Sequence, residues 1–338
     1  VTVLKAVAAR FGHDFIVSEW PIGASAMRTK GVPLPEETLA ACHDADAVLL
    51  GAVGDPAYDL APHDKRPEAG LLGIRKALGL YANIRPARVY AGLEGAGPLK
   101  PEIAFGLDLV VVRELTGGLY FGNPRSLDLA AGTAVNTLPY TRAEIERVTE
   151  VAFRLAKGRR KKVTSVDKSN VLETSQLWRS VATDIGARHP EVALDHQLVD
   201  SCAMNLVLNP TAFDVVVTEN LFGDILSDEV GALVGSLGLL PSASLGDGPG
   251  LFEPVHGSAP ALAGRDIANP IGAIATAAML LEDGLGLKEE AATVRRAIEK
   301  VLEKGARTAD LVPRGARALG TREMARAIAD EIPAHVAV

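Results

Sequence analysis

Apolar positions in this chain recur with two periods. Four short runs, "DAVLLGAV" (46–53), "LDLVVVREL" (107–115), "KKVTSVD" (161–167) and "FDVVVTE" (213–219), are β-branched or apolar, the pattern of strands buried on both faces. Between them the spacing becomes helical. In "TRAEIERVTEVAFRLAKG" (141–158), Ile145, Val148, Ala152 and Leu155 share a face, Thr141 with Glu144 forms a capping box, and Gly158 ends the segment. The opening "VTVLKAVAARFG" places Val3, Leu4, Val7 and Phe11 on one face, as in the tail of an amphipathic helix. Strands alternating with helices predict an α/β fold. The stretch "FGNPRSLDLAAGTAVNTLP" (121–139) keeps neither period and reads as an arm or long loop. No internal repeat is visible, and no Pro/Gly/Ser-rich linker divides the chain.

Composition narrows the function classes. The 338 residues are 48% hydrophobic and 23% charged, enough apolar mass for a large core in two domains or one large one. A net charge of −7 argues against non-specific nucleic-acid binding. Cys42 and Cys202 cannot form a disulfide scaffold or a cysteine zinc site, which points to a reducing cytoplasm. The longest apolar run, "IGAIATAAMLL" (271–281), is too short to span a bilayer. The N-terminus shows no signal-peptide pattern.

Candidate chemistry begins at "NLFGDILSDEVG" (220–231). Asp224 and Asp228 stand one helical turn apart among Leu221, Phe222, Ile225 and Leu226, which have the character of core positions. Such a like-charge pair costs roughly 0.2–0.5 kcal/mol on an exposed helix, and more in apolar surroundings unless a cation neutralises it. A hard divalent ion would do so, since magnesium takes one or two carboxylates plus water and substrate oxygens. Asp200, after a short apolar run, supplies a third acid. The alternatives are a pair facing solvent, or an Asp224 that caps a helix start after Gly223.

Arg75, Arg85 and Arg113 offer planar forks suited to carboxylates. Arg113 ends a strand run, where open α/β sheets place ligands; surface salt bridges are the competing reading, weakest for Arg113. Lys168, just past the strand at 161–167, is a proton-transfer candidate or a solvated lysine. Tyr120, between Gly118 and Gly122, is a proton donor or a packed aromatic. In "EPVHGSAPALAGRDIANP" (253–270), Gly257 and Gly264 permit close backbone approach to a ligand, and His256 could stack on or hydrogen-bond a nucleotide. There is no G-x-G-x-x-G fingerprint, P-loop, zinc-ligand spacing or G-x-S-x-G elbow.

Taken in order, "RPEAGLLGIRK", "YANIRPA", "VVVRELTGGLYFG", "SVDKSNVLE", "NLFGDILSD", "PSASLG" and "FEPVHGSAP…IANP" resemble the decarboxylating β-hydroxyacid dehydrogenases of the isocitrate/isopropylmalate type, over nearly the whole chain. The resemblance implies an isopropylmalate-dehydrogenase-like fold rather than an ordinary Rossmann fold: two α/β domains sharing a large mixed sheet. Residues 1–80 plus 235–338 would form the cofactor-binding domain, and 81–234 the central domain, with the dimer interface and an arm at about 115–138. The catalytic site would lie in the cleft between them and be completed by a homodimer partner.

The resemblance also assigns roles. Arg75, Arg85 and Arg113 would hold the substrate carboxylates; Asp224, Asp228 and a second subunit's Asp200 would bind Mg²⁺ or Mn²⁺. Lys168, also from across the dimer, would accept the hydroxyl proton as hydride passes to NAD, and Tyr120 would protonate the enol carbon. Asp200, as a metal ligand beside the reacting oxygen, would also act in catalysis. Glu253, His256, Gly257, Ser258, Ala259, Asn269 and Asp310 would line the cofactor site. Leu71 and Leu72, with Glu68 and the partner's Val171, would wall an isopropyl group, whose burial contributes roughly 1.5–3 kcal/mol. A charged γ-carboxylate would be left unpaired there.

3-Isopropylmalate is therefore the expected substrate, ahead of homoisocitrate, D-malate or tartrate. A catalytically silent regulatory subunit is the rival from another class. Two departures stand out. Family members normally open with a strand and a "GDGIGPE"-like loop, and this chain begins after it. NAD-using members usually carry Asp directly after "GSAP", where this chain has Ala261. NAD remains the expected cofactor, with weaker binding.

Overall fold

The computed structural model describes residues 1–312 and 316–332. Its strands, in chain order, are β1 (Val48–Leu49), β2 (Leu80–Arg88), β3 (Asp108–Glu114), β4 (Ser126–Asp128), β5 (Thr133–Val135), β6 (Lys162–Asp167), β7 (Ala193–Leu198), β8 (Val215–Thr218), β9 (Pro241–Gly246) and β10 (Leu251–Pro254). The chain divides into two compact units. Unit 1 takes Val1–Leu80, Tyr90–Pro98 and the described part of Gly235–Val338; unit 2 takes Tyr81–Val89 and Leu99–Val234.

Unit 2 holds a mixed sheet in the order β2-β3-β8-β6-β7. β3 runs antiparallel to β2 and parallel to β8, and β6 is parallel to both β8 and β7. The apolar runs behave as their composition predicts. Leu109, Val111, Val112, Val163, Val166 and Val215 to Val217 are essentially removed from solvent, each worth about 1.5–3 kcal/mol. Helix Arg142–Lys157 packs on β3, β6 and β8, and against helix Glu173–Arg188. Its capping box is present as expected: Thr141 and Glu144 each satisfy the other's end of the first turn, and Ile145, Val148 and Ala152 are buried. Helices Val199–Leu208 and Asn220–Leu233 pack on each other; the first also covers β7 and the second covers β3. The aperiodic stretch forms an exposed antiparallel hairpin, β4 with β5.

Unit 1 holds β10 between β1, parallel, and β9, antiparallel. Helix Ile271–Met279 covers β9 and β10 and packs on helix Lys288–Glu303. The N-terminal pattern forms helix Thr2–Phe11, which buries Val3, Leu4 and Val7 and closes with Gly12 in the left-handed conformation. Here one expectation fails. The run 46–53 is not a strand covered on both faces: only Val48 and Leu49 pair, with β10 alone, and Leu49 is exposed. A strand with one neighbour lies at an edge, so its apolar composition does not ensure that both faces are covered.

Candidate active site

The acidic stretch folds as helix Asn220–Leu233 because Glu219 caps it, its carboxylate accepting from the backbone N–H of Leu221 (3.1 Å) and Phe222 (2.8 Å). The capping alternative for Asp224 is therefore excluded. The buried stripe is Asn220, Gly223, Leu226, Ser227 and Val230. Ile225, expected as core, is instead 57% exposed, because it falls on the opposite face from Leu226 and Val230. Gly223 is required by proximity: a Cβ there would lie 2.7 Å from the Arg113 side chain.

That approach brings the helix against the end of β3. Arg113, almost wholly buried, donates from Nε and Nη2 to Asn220 Oδ1 (3.0 and 2.9 Å) and from Nη1 to Asp224 Oδ1. Arg85, on β2, donates from Nε to Asn83 Oδ1 (2.7 Å) and from Nη1 to Ser227 Oγ (2.7 Å) and Asp228 Oδ1 (3.3 Å). Its Nη2 lies 3.6 Å from Asp224 Oδ1. Tyr120, in the turn Gly118–Tyr120, donates its hydroxyl to Asp224 Oδ2 at 2.5 Å, with the Arg113 guanidinium over its ring. Burial, then the Asp224 acceptor and its charge, push the Tyr120 phenol above its ordinary value, so it carries its proton at neutral pH.

Five of the predicted residues (Arg85, Arg113, Tyr120, Asp224 and Asp228) thus share one centre. Asp224 is tied from three sides, whereas the Asp228 side chain is 64% exposed. The donors are carboxylate oxygens, which suit a hard divalent cation. Among the described residues no three His, Cys, Asp or Glu side chains gather as a metal site.

Asp200 lies apart with Lys168, which donates to its Oδ1 at 2.5 Å and holds that exposed carboxyl below its usual range. Val171, in the loop just after Lys168, is exposed.

In unit 1, Arg75 donates from Nη2 to Glu253 Oε1 at 2.5 Å, both side chains nearly buried, while Arg75 Nε has no partner. Arg75 shares helix Pro67–Ala77 with an exposed Glu68 and with half-buried Leu71 and Leu72; Leu71 packs on the core around Ile74. Asn269 Nδ2 donates to Asp310 Oδ2 (3.0 Å), which also accepts from Ser236 Oγ (2.5 Å). Along the chain between Glu253 and Asn269, Gly257, Ser258, Ala259 and Ala261 are exposed, and His256 lies against the Gly257 carbonyl. Gly264 has φ +75°, which favours glycine. Gly257 does not, and a Cβ on it would meet nothing in the chain. Asn83, Asn220 and Ser227 had escaped the sequence reading, although Asn83 and Asn220 stand inside the motifs "YANIR" and "NLFGD".

Arginines that hold carboxylates, a phenol that keeps its proton and a pair of acids, set on an α/β frame, define an enzyme of small carboxylic acids. Comparison with known proteins makes this specific. The isocitrate/isopropylmalate dehydrogenase family model matches residues 1–328. The chain is 54% identical to the 3-isopropylmalate dehydrogenase of Geobacillus kaustophilus over 100% of this chain and 92% of that protein. It is 55% identical to the one from Anaeromyxobacter dehalogenans, over 98% and 93%. Among solved structures, an isocitrate dehydrogenase from Methylococcus capsulatus superposes with a TM-score of 0.86 at 36% identity, covering 98% of this chain and 94% of that one. A β-decarboxylating dehydrogenase from Thermococcus kodakarensis gives 0.80 at 37%, covering 98% and 91%. The chain belongs to the isocitrate/isopropylmalate dehydrogenase family and is an oxidoreductase.

Proposed function

We propose that this protein oxidises and decarboxylates 3-isopropylmalate, with NAD⁺ taking the hydride, to give 4-methyl-2-oxopentanoate, CO₂ and NADH, a step of leucine biosynthesis. The observation that carries this reading is the centre of Arg85, Arg113, Tyr120, Asp224 and Asp228, in a chain more than half identical to proteins of that name.

The chemistry follows from the side chains. Arg113 and Arg85 present guanidinium donors beside the acids and hold substrate carboxylates, with Arg75, whose Nε has no partner, as a third. Lys168 takes the hydroxyl proton as hydride leaves C2. Tyr120, kept protonated by burial and by Asp224, returns a proton to the carbon that loses CO₂. Asp224 and Asp228, with Asp200 from a second copy, would hold Mg²⁺ or Mn²⁺, which supplies Lewis-acid stabilisation of the developing enolate oxygen. Glu253, His256, Gly257, Ser258, Ala259, Asn269 and Asp310 would hold NAD, which accepts the hydride. Leu71 and Leu72 favour an aliphatic substituent over a third carboxylate.

A homodimer fits the unit 2 surface. Met204, Val207, Leu208 and Ile225 are exposed on two helices that pack on each other, an apolar patch of the kind that a second copy covers. No described helix is long and apolar enough to cross a membrane, and a cytoplasmic location accords with the two free cysteines.

The deciding experiment is a substrate panel of isopropylmalate, isocitrate, homoisocitrate, D-malate and tartrate, with NAD or NADP and with or without Mg²⁺. Isopropylmalate with NAD and Mg²⁺ should give the highest kcat/KM; a higher value for homoisocitrate would overturn the substrate assignment. Turnover of none of them would favour a silent subunit.

A further inference from the structure

Joined to the arginine–aspartate centre through Asn220 lies a second polar cluster, built on two buried carboxylates and a phenol. Glu114 and Glu219 are both buried, one at the end of β3 and one at the start of the Asn220–Leu233 helix. Glu114 Oε1 accepts from Thr116 N (2.8 Å) and Thr116 Oγ1 (2.6 Å), and Oε2 accepts from Gly117 N (2.8 Å). Glu114 therefore shapes the turn that leads to Tyr120. Glu219 caps the helix that carries Asp224.

The Tyr140 hydroxyl stands between the two, 3.2 Å from Glu114 Oε2 and 3.4 Å from Glu219 Oε2, and accepts from Asn220 N at 3.0 Å. Asn220 in turn donates from Nδ2 to Gly117 O (3.2 Å) and holds Arg113 through Oδ1. Gly118 is required here: its φ is +72°, and a Cβ would lie 2.7 Å from the Tyr140 hydroxyl.

We infer that Tyr140 is a positioning residue, whose hydroxyl joins the Glu114 turn to the Glu219-capped helix and so fixes Tyr120 against Asp224. Burial and the two neighbouring carboxylates push its phenol strongly upward, so it stays a neutral donor throughout the working range. Its ring is held independently, edge-on to Trp178 at 5.6 Å, so Tyr140→Phe removes the hydroxyl and keeps the packing.

The inference rests on Tyr120 being the proton donor, and its test is a double-mutant cycle on the full chain with Mg²⁺ and NAD. Tyr140→Phe should lower kcat about tenfold, less than the roughly 10²–10⁴-fold that a general acid itself contributes because Tyr120 is misplaced rather than removed, with KM for isopropylmalate within about twofold. Because Tyr140 acts through Tyr120, adding Tyr140→Phe to Tyr120→Phe should slow the enzyme no further. A wild-type kcat for Tyr140→Phe, or effects that multiply in the double variant, overturns the inference and leaves the function standing. A wild-type kcat for Tyr120→Phe overturns the Tyr120 assignment and the inference together. Should Tyr140→Phe not fold, Glu114→Gln carries the same test, since it perturbs the turn from its other anchor.

Discussion

The Arg113 centre and the Glu253–Asn269 stretch are both built from family motifs, yet they differ in how much of their shape is internal. Around Arg113 every nitrogen of the guanidinium meets an acceptor, and Asp224 takes donors from Arg113 and Tyr120. Its geometry is fixed before any ligand arrives. The loop at 257–263 is exposed, and a Cβ added to Gly257 would meet nothing within 4 Å. A centre with buried charges must be pre-paired, because a lone buried charge is costly. An exposed loop of the kind proposed to take the cofactor can leave its donors to solvent, because none of them is a buried charge.

That contrast can be broken experimentally. Arg113→Lys should have the largest effect, a loss of about a hundredfold or more in kcat/KM, since one ammonium cannot serve both Asn220 and Asp224 as a fork does; a tenfold loss or less would show that the fork is not needed. Next, co-expressing Lys168→Met with Asp224→Asn, each inactive alone, tests whether the centre draws on two copies. Random pairing makes half the dimers mixed, each with one intact site, so about a quarter of wild-type activity should return. No recovery would mean that Lys168 and Asp224 serve the site of one chain.

On the loop side, Ala261→Asp should tighten NAD binding about tenfold, the value of one hydrogen bond to a charged acceptor. Unchanged affinity in a titration followed by fluorescence would remove Ala261 from the cofactor site. The smallest effect isolates burial without partners. Burial alone raises the Glu229 carboxyl above its ordinary 4.5. The folded chain then keeps this proton to higher pH than the unfolded chain, so stability falls as pH rises from 4.5 through the raised value. Glu229→Gln removes that decline, and its advantage in urea midpoint should grow with pH over that window. A constant difference from pH 4 to 7 would contradict the assignment.

Much of the strand pattern was legible because a central strand must be apolar on both faces; 107–115, 161–167 and 213–219 all lie where composition put them. The run 46–53 did not, since composition cannot tell an edge from a centre. Ile225 misled for a related reason: an apolar residue near a buried stripe is not on it. Asn220, Tyr140 and Glu219 escaped notice because polar residues acquire meaning only from partners distant in the chain.

The sequence by itself determined the α/β alternation, the family and the acids and arginines of the centre, since periodicity and motif order are local properties of the chain. Tertiary structure alone decided that Arg75 faces Glu253, that Asp224 lies under Arg113 and Tyr120, and that one phenol joins two buried carboxylates. Those pairings are set by strand order and helix packing, which bring together residues from 26 to 178 positions apart.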